Sequence, residues 1–140
     1  MVIKNLKESI LDNEELLEIL KYSHFMPTKE KLLRLLKKYY ENKDILPFAS
    51  TNEDKIVGII VVQKISCETY EIIDISVASN YRKKGIASKL IDYVTKHLGI
   101  KTILAETDKD AVEFYKKYGF KTEILETKGY KRYKCILKIN

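Results

Sequence analysis

The sequence predicts a mixed α/β domain, a sheet of six or seven strands with helices on both faces. Three observations carry this. Residues 45–50, 55–65 and 68–77 are largely apolar, β-branched runs separated by turn residues, the pattern of an antiparallel meander. Residues 73–106 then read strand, helix, strand, which implies a right-handed parallel crossover. A further helix and two strands complete the chain, whose 140 residues form one domain, 1–140, with a single core.

Taken in order, residues 2–6 suit a short first strand. Residues 12–21 are helical, with Leu16, Leu17, Ile19 and Leu20 as the apolar stripe and Asp12 or Asn13 as N-cap. Met26 and Pro27 break the pattern. Thr28 caps a second helix whose buried face is Leu32, Leu33, Leu35, Leu36, Tyr39 and Tyr40, closed by Asn42. Pro47 marks the strand at 45–50 as an edge or as broken early, because proline cannot donate to a ladder. Thr51 to Asp54 form a turn. The crossover helix covers residues 84–98, with Ile86, Leu90, Ile91, Val94 and Leu98 on one face and Gly99 after it. Residues 101–106 are a short strand. Asp108 caps a helix at 109–118 that ends at Gly119. Strands at 120–126 and 132–139 follow, with Lys128 and Gly129 between them.

Composition narrows the class. Apolar residues make up 45% and charged residues 33%, as in a folded, soluble domain. The longest apolar run, residues 56–62, is too short to span a bilayer, and the N-terminal residues lack a hydrophobic signal core, so no membrane association and a cytoplasmic location are expected. Cys67 and Cys135 each fall in an expected strand without metal-ligand spacing, and read as reduced buried thiols. No metal is expected. The net charge of +6 favours an anionic partner, but the lysines are spread along the chain as on an ordinary solvated surface.

The segment from residue 73 to 91 is the most informative. The run Ile73-Asp74-Ile75-Ser76-Val77 ends in a short polar turn, and Arg82-Lys83-Lys84-Gly85-Ile86-Ala87-Ser88 opens an amphipathic helix. The first N–H groups of a helix have no internal partner and lie at the positive end of its dipole, so this geometry binds anions. Gly85 and Ala87 let a phosphate approach the backbone, and three basic side chains add charge. A second segment, Asp108 to Phe120, places Ala111, Phe114, Tyr115, Gly119 and Phe120 at fixed offsets.

Residues 77–87 resemble the acetyl-coenzyme A signature of the GNAT N-acetyltransferases, and residues 108–120 resemble their second motif. The resemblance extends over about residues 45–139; the first 44 residues match only as two helices. It implies a GNAT-like fold and an acetyl-CoA-dependent transfer to an amine-bearing acceptor. The backbone of Ile75, Ser76 and Val77 would pair with the pantetheine arm. The N–H groups of Arg82, Lys83, Lys84, Gly85, Ile86, Ala87 and Ser88 would cradle the pyrophosphate. Asp108, Ala111 and Phe114 would flank the cofactor, and Tyr115 would sit near its sulfur. Two positions depart from the family pattern. Asp108 stands where asparagine is usual, and Ala78-Ser79 where a proline is common.

The chemistry follows from these placements. The Val77 N–H would stabilise the charge that develops on the thioester oxygen. Tyr115, with an ordinary pKa of about 10, would protonate a thiolate of about 8.5. The amine needs a base, and Glu71, Asp74 and Glu106 are the candidates, since they lie on or beside the strands that flank the cleft. Strict alternation would put Glu71 and Asp74 on opposite faces of the sheet. His24, between the first two helices, is either a substrate contact or a loop histidine without further role. Tyr130 to Tyr133 either line the acceptor side or form a charged hairpin. No cysteine lies in the motifs, so direct transfer is expected over a covalent acyl-enzyme. The sequence leaves the acceptor open and allows a monomer or a homodimer. Two alternatives remain: a non-catalytic acyl-CoA sensor, and a basic nucleic-acid-binding module. The latter is disfavoured because no RNA-binding aromatic signature or helix-turn-helix pattern accompanies the basic residues.

Overall fold

The computed structural model describes residues 2–11, 13–21, 23–24, 27–127 and 129–140. Asp12, Met26 and Lys128, marked by the sequence as a cap, a helix break and a turn, lie outside the described residues, as does the side chain of Tyr130. Strands β1 (Val2–Asn5), β2 (Ile45–Asn52), β3 (Lys55–Ser66), β4 (Thr69–Val77), β5 (Thr102–Thr107), β6 (Lys121–Thr127) and β7 (Tyr130–Lys138) form one seven-stranded sheet. Its order is β1-β2-β3-β4-β5-β7-β6. All neighbours are antiparallel except β4 and β5, the pair joined by the crossover helix.

Helices α1 (Glu14–Leu20) and α2 (Lys29–Glu41) cover one face, and α3 (Ile86–His97) and α4 (Val112–Tyr118) the other. The caps are local side-chain bonds. Asn13 Oδ1 accepts from the Leu16 N–H at 3.3 Å, and Thr28 Oγ1 from the Lys31 N–H at 3.1 Å. Leu16, Leu20, Leu36 and Tyr39 meet Ile45, Ile59 and Val61 on the first face. On the second, Ile86, Leu90, Ile91, Val94 and Tyr115 meet Phe48, Ile60, Val62, Ile72 and Ile103.

Three expectations are corrected. β2 lies inside the sheet rather than at its edge. Its Pro47 carbonyl accepts from the Leu6 N–H at 2.9 Å just past the last β1 pair, Asn5↔Phe48. In a strand the nitrogen and carbonyl of one residue face the same neighbour, so the missing N–H falls where β1 has ended. Cys67 is an exposed residue of the turn between β3 and β4, whereas Cys135 is buried in the core. The helix begun by Asp108 starts its regular turns only at Val112, since Asp108 Oδ1 instead accepts from the Asp110 and Ala111 N–H groups, both at 3.0 Å.

Two local features set the position of α3. Gly58 on β3 lies under its first turns: a Cβ there would stand 2.9 Å from Ile86 Cγ2 and 3.3 Å from Leu90 Cδ1, so only glycine lets the helix sit this close. Gly85, with φ of 77°, turns the chain into the helix, and Lys83 before it also has positive φ, 62°.

Candidate active site

β4 and β5 part partway along their length. Their register runs from Thr69↔Thr102 to Ile72↔Ala105, yet β4 continues to Val77 and β5 to Thr107. A β-bulge accompanies the parting. Val61 pairs with Asp74 but Val62 pairs with Ile72, which makes Ile73 an extra residue in β4. Bulges bend a strand and increase its twist, and here the bend carries the end of β4 away from β5. The gap between them is a cleft of ≈ 420 Å³.

The cleft wall on the β4 side is backbone. The Ala78 N–H donates to the Val57 carbonyl at 2.9 Å, which makes Gly58↔Val77 a non-hydrogen-bonded pair. The N–H of Val77 therefore points away from β3, into the cleft, and the ladder turns that of Ile75 the same way. Ser76 faces oppositely in its backbone, and its hydroxyl donates to the Ile19 carbonyl at 2.9 Å. The Arg82 Nε donates to the Val77 carbonyl at 3.3 Å.

Just beyond, α3 begins without a side-chain cap. Its first intrahelical bond runs from the Lys89 N–H to the Gly85 carbonyl at 3.0 Å, so the N–H groups of Ile86, Ala87 and Ser88 precede the ladder. Arg82, Lys83, Lys84 and Gly85 are exposed on the approach, and a Cβ on Gly85 would meet nothing within 4 Å. Ala87 lines the cleft. A strand edge with open donors leading to an uncapped, basic helix end fits an extended ligand with an amide-bearing arm and a phosphate group.

Across the cleft stand Asp108, Ala111, Phe114 and Tyr115. Tyr115 is buried, packed edge-on against Phe114 and Phe120 at 5.3 and 5.1 Å between ring centres. Burial pushes its phenol above the ordinary tyrosine range, and the nearby Cys135 and Asp74 add to the shift. The group is thus held protonated.

Of the three candidate bases, two line the cleft. Glu106 is half exposed at its rim and accepts from Arg132 Nε at 3.4 Å. Asp74 lies at the floor, 5% exposed. Glu71 sits before the parting, paired with Gln63 and Leu104, and does not line the cleft. The bulge also reverses the expected alternation. Tyr70 and Ile72 pack with the α3 core, while Asp74 and Ser76 bond to residues of α2 and α1. Glu71 therefore shares a face with Asp74 instead of opposing it.

Asp74 is the centre of a polar cluster. Ser23 Oγ donates to its Oδ1 at 2.8 Å, and the Tyr39 phenol donates to Oδ2 at 2.9 Å. His24 Nε2 lies 2.8 Å from the same Oδ2. The hydrogen bond to Asp74 raises the His24 pKa, outweighing the opposing effect of burial. Burial, with the charge of Asp74, raises that of Tyr39. Ser23 and His24 line the cleft above the carboxylate. The sequence marks neither Ser23 nor Tyr39 as functional and leaves His24 open. One signal pointed to Tyr39: a tyrosine in a buried leucine stripe must find a partner for its hydroxyl. Among the described residues no three of His, Cys, Asp and Glu are grouped to hold a metal ion, and no helix is long and apolar enough to cross a membrane.

Comparison with known proteins agrees with this geometry. Residues 44–122, over half the chain, match the model of the acetyltransferase (GNAT) domain. No curated protein sequence matches the chain. Among solved structures, an aminoglycoside 6'-N-acetyltransferase complexed with coenzyme A superposes with a TM-score of 0.82 at 18% identity, covering 99% of this chain and 97% of that one. The aminoglycoside 6'-N-acetyltransferase from Enterococcus faecium gives 0.79 at 18% identity, with coverage of 99% and 97%. The PaiA N-acetyltransferase from Thermoplasma acidophilum, in complex with coenzyme A, gives 0.73 at 24% identity, with coverage of 99% and 100%. These likenesses establish the fold; with the family match over residues 44–122, the chain belongs to the GNAT family of acetyl-CoA-dependent N-acetyltransferases.

Proposed function

We propose that this protein transfers the acetyl group of acetyl-CoA directly to a primary amine bound over Asp74. The observation that carries this reading is the parting of β4 from β5, which leaves the Val77 N–H directed into a cleft with Tyr115 on its opposite wall. Acetyl-CoA supplies a thioester at which the amine attacks. Ile75 and Val77 offer the pantetheine arm a strand edge, and the first turn of α3, from Gly85 to Ser88, receives the pyrophosphate. Arg82, Lys83 and Lys84 contribute charge around it. The Val77 N–H stabilises the negative charge that develops on the carbonyl oxygen, as a fixed dipole that needs no reorganisation. Phe114 and Ala111 pack beside the arm. Asp108 spends one carboxylate oxygen on the turn before α4, which leaves the other for a cofactor amide.

Tyr115 acts on the leaving sulfur. Its raised pKa widens the gap to a thiol, so complete proton transfer is less favourable than the ordinary values of about 10 and 8.5 suggest. The phenol serves as a hydrogen-bond donor to the sulfur as charge builds there. No cysteine lines the cleft among the described residues, which supports direct transfer.

Two measurements test this. Acetyl-CoA should raise the melting temperature in a saturable way with micromolar affinity. Thiol release from acetyl-CoA should then appear with members of a panel of primary amines, including spermidine, kanamycin and a lysine-containing peptide. Absence of acetyl-CoA binding overturns the proposal; binding without turnover of any amine identifies a sensor instead.

A further inference from the structure

We propose that His24 is the general base of the transfer and that Asp74 is its positioning residue. The assignment rests on the acetyltransferase reading of the same cleft. It differs from assigning the proton to any of the three carboxylates near the cleft.

Asp74 is poorly placed to take a proton from an amine. It is buried, and both of its oxygens already accept hydrogen bonds, Oδ1 from Ser23 and Oδ2 from Tyr39 and His24. A carboxylate so fully engaged cannot turn to the substrate without leaving buried donors unpaired. Glu106 has the reverse difficulty. It stands at the exposed rim and faces Arg132. Glu71 does not reach the cleft.

His24 has the properties that the carboxylates lack. It lines the cleft, and 30% of its side chain is open to solvent. Its Nε2 lies 2.8 Å from Asp74 Oδ2. Facing a carboxylate, Nε2 carries the proton, and the lone pair falls on Nδ1. Asp74 thus fixes the tautomer and stabilises the imidazolium, while Ser23 and Tyr39 hold Asp74 in place. The ionisable groups that share the cleft with the imidazole are Asp74 on β4, Tyr115 on α4, Glu106 on β5, Asp108 just after it, and Arg132 on β7, with Tyr39 of α2 behind Asp74. Asp74 favours the protonated imidazole, and three carboxylates against one guanidinium along the cleft suit a cationic acceptor. The reacting nitrogen first loses its ammonium proton to solvent; as the neutral amine then forms its bond to the acetyl carbon, it gives a second proton to His24 Nδ1. The C–S bond breaks with its electron pair on sulfur, and solvent returns a proton to the thiolate beside Tyr115, so that the imidazolium proton is released to water.

The raised His24 pKa agrees with this role and sets the sign of its pH dependence. The base works when neutral, so activity rises with pH through the raised value.

The test combines titration with kinetics. The chain has two histidines, His24 and His97, so imidazole 15N–1H spectra resolve both. His24 should titrate above the ordinary value of about 6.5 with the proton of its neutral form on Nε2. Asp74→Asn should lower that pKa, and His97 should not move. With an amine found active in the panel, His24→Gln should reduce kcat/KM about 100-fold and abolish the acidic limb of its pH profile. Acetyl-CoA affinity should stay near wild type, and so should the melting temperature at about pH 9, where the His24–Asp74 charge pairing no longer contributes. Asp74→Asn should shift that limb to lower pH, and added imidazole should partly restore His24→Gly. A His24→Gln enzyme with an unchanged acidic limb and a rate within about threefold of wild type would overturn the proposal. So would a His24 titration that is indifferent to Asp74→Asn. Failure of acetyl-CoA to bind the wild type would instead overturn the functional reading beneath it, and the titration would still decide whether the His24–Asp74 pair exists.

Discussion

The Tyr39 phenol and the Asp74 carboxylate meet at 2.9 Å in the buried layer between α2 and β4. Of the partners of Asp74, Tyr39 is the one seated in a helix core, since Ser23 and His24 come from the connection between α1 and α2. Tyr39→Phe keeps the ring and its packing but removes one donor from a buried carboxylate. Hydrogen bonds to charged groups contribute about 1.5–3 kcal/mol. The variant should therefore lose stability of that order in urea unfolding, with an unchanged m-value. A loss below about 0.5 kcal/mol would show that Asp74 does not depend on Tyr39.

His24 makes the pH dependence of stability predictable in sign. Its pKa is higher in the folded state than the ordinary value of about 6.5, with the Asp74 hydrogen bond as the main cause. The folded protein binds this proton more tightly than the unfolded chain. The resulting stabilisation is complete below the unfolded value and is lost as pH rises through the folded one. The stability difference between wild type and His24→Gln should be larger at about pH 6 than at about pH 9. Unfolding curves for both proteins at the two pH values measure it. A difference that grows with pH would contradict the pairing with Asp74.

The same cluster shows where sequence and structure diverge. The meander, the crossover, both motifs and the chain order of the strands are legible because period-2 apolar runs and glycine-terminated helices are local signals. The bulge at Ile73 leaves only a slight trace, the apolar doublet Ile72-Ile73 at which the alternation changes phase, yet it reverses the facing of every residue before it relative to those after. That is why alternation misplaces Glu71 against Asp74. His24 and Asp74 are fifty positions apart, and what joins them is the packing of α1 and α2 on β4, a long-range outcome. The two segments that the sequence singles out, residues 73–91 and 108–120, both contribute to the cleft and carry local signals; the cluster around Asp74 is assembled from distant residues.

Gly58 links core packing to the proposed phosphate site at the start of α3. A Cβ at this position would lie 2.9 Å from Ile86 Cγ2, at the first residue of α3. Gly58→Ala must push the start of that helix outward or force Ile86 off its rotamer. Overpacking of this kind costs about 1–3 kcal/mol. Because the same turn offers the N–H groups of Ile86, Ala87 and Ser88, acetyl-CoA affinity should fall together with stability. Calorimetric titration of folded protein separates the two effects. Normal affinity in a destabilised variant would show that the helix start does not move.

Tyr115→Phe isolates the phenol from the ring. The side chain is buried, and its edge-on contacts with Phe114 and Phe120 involve only the ring, so the variant should fold with wild-type stability. Acetyl-CoA affinity should stay within about twofold, while kcat falls about 100-fold, the scale of one hydrogen-bond donor lost from a developing charge. Burial raises the pKa of the phenol, so it keeps its proton through the alkaline range. The wild-type rate should accordingly show no alkaline decline up to the ordinary tyrosine value of about 10. An alkaline limb near or below that value, absent from Tyr115→Phe, would mean that the phenol ionises more readily than its burial implies. A variant with unchanged kcat would reduce Tyr115 to a packing residue and leave the departing sulfur to solvent.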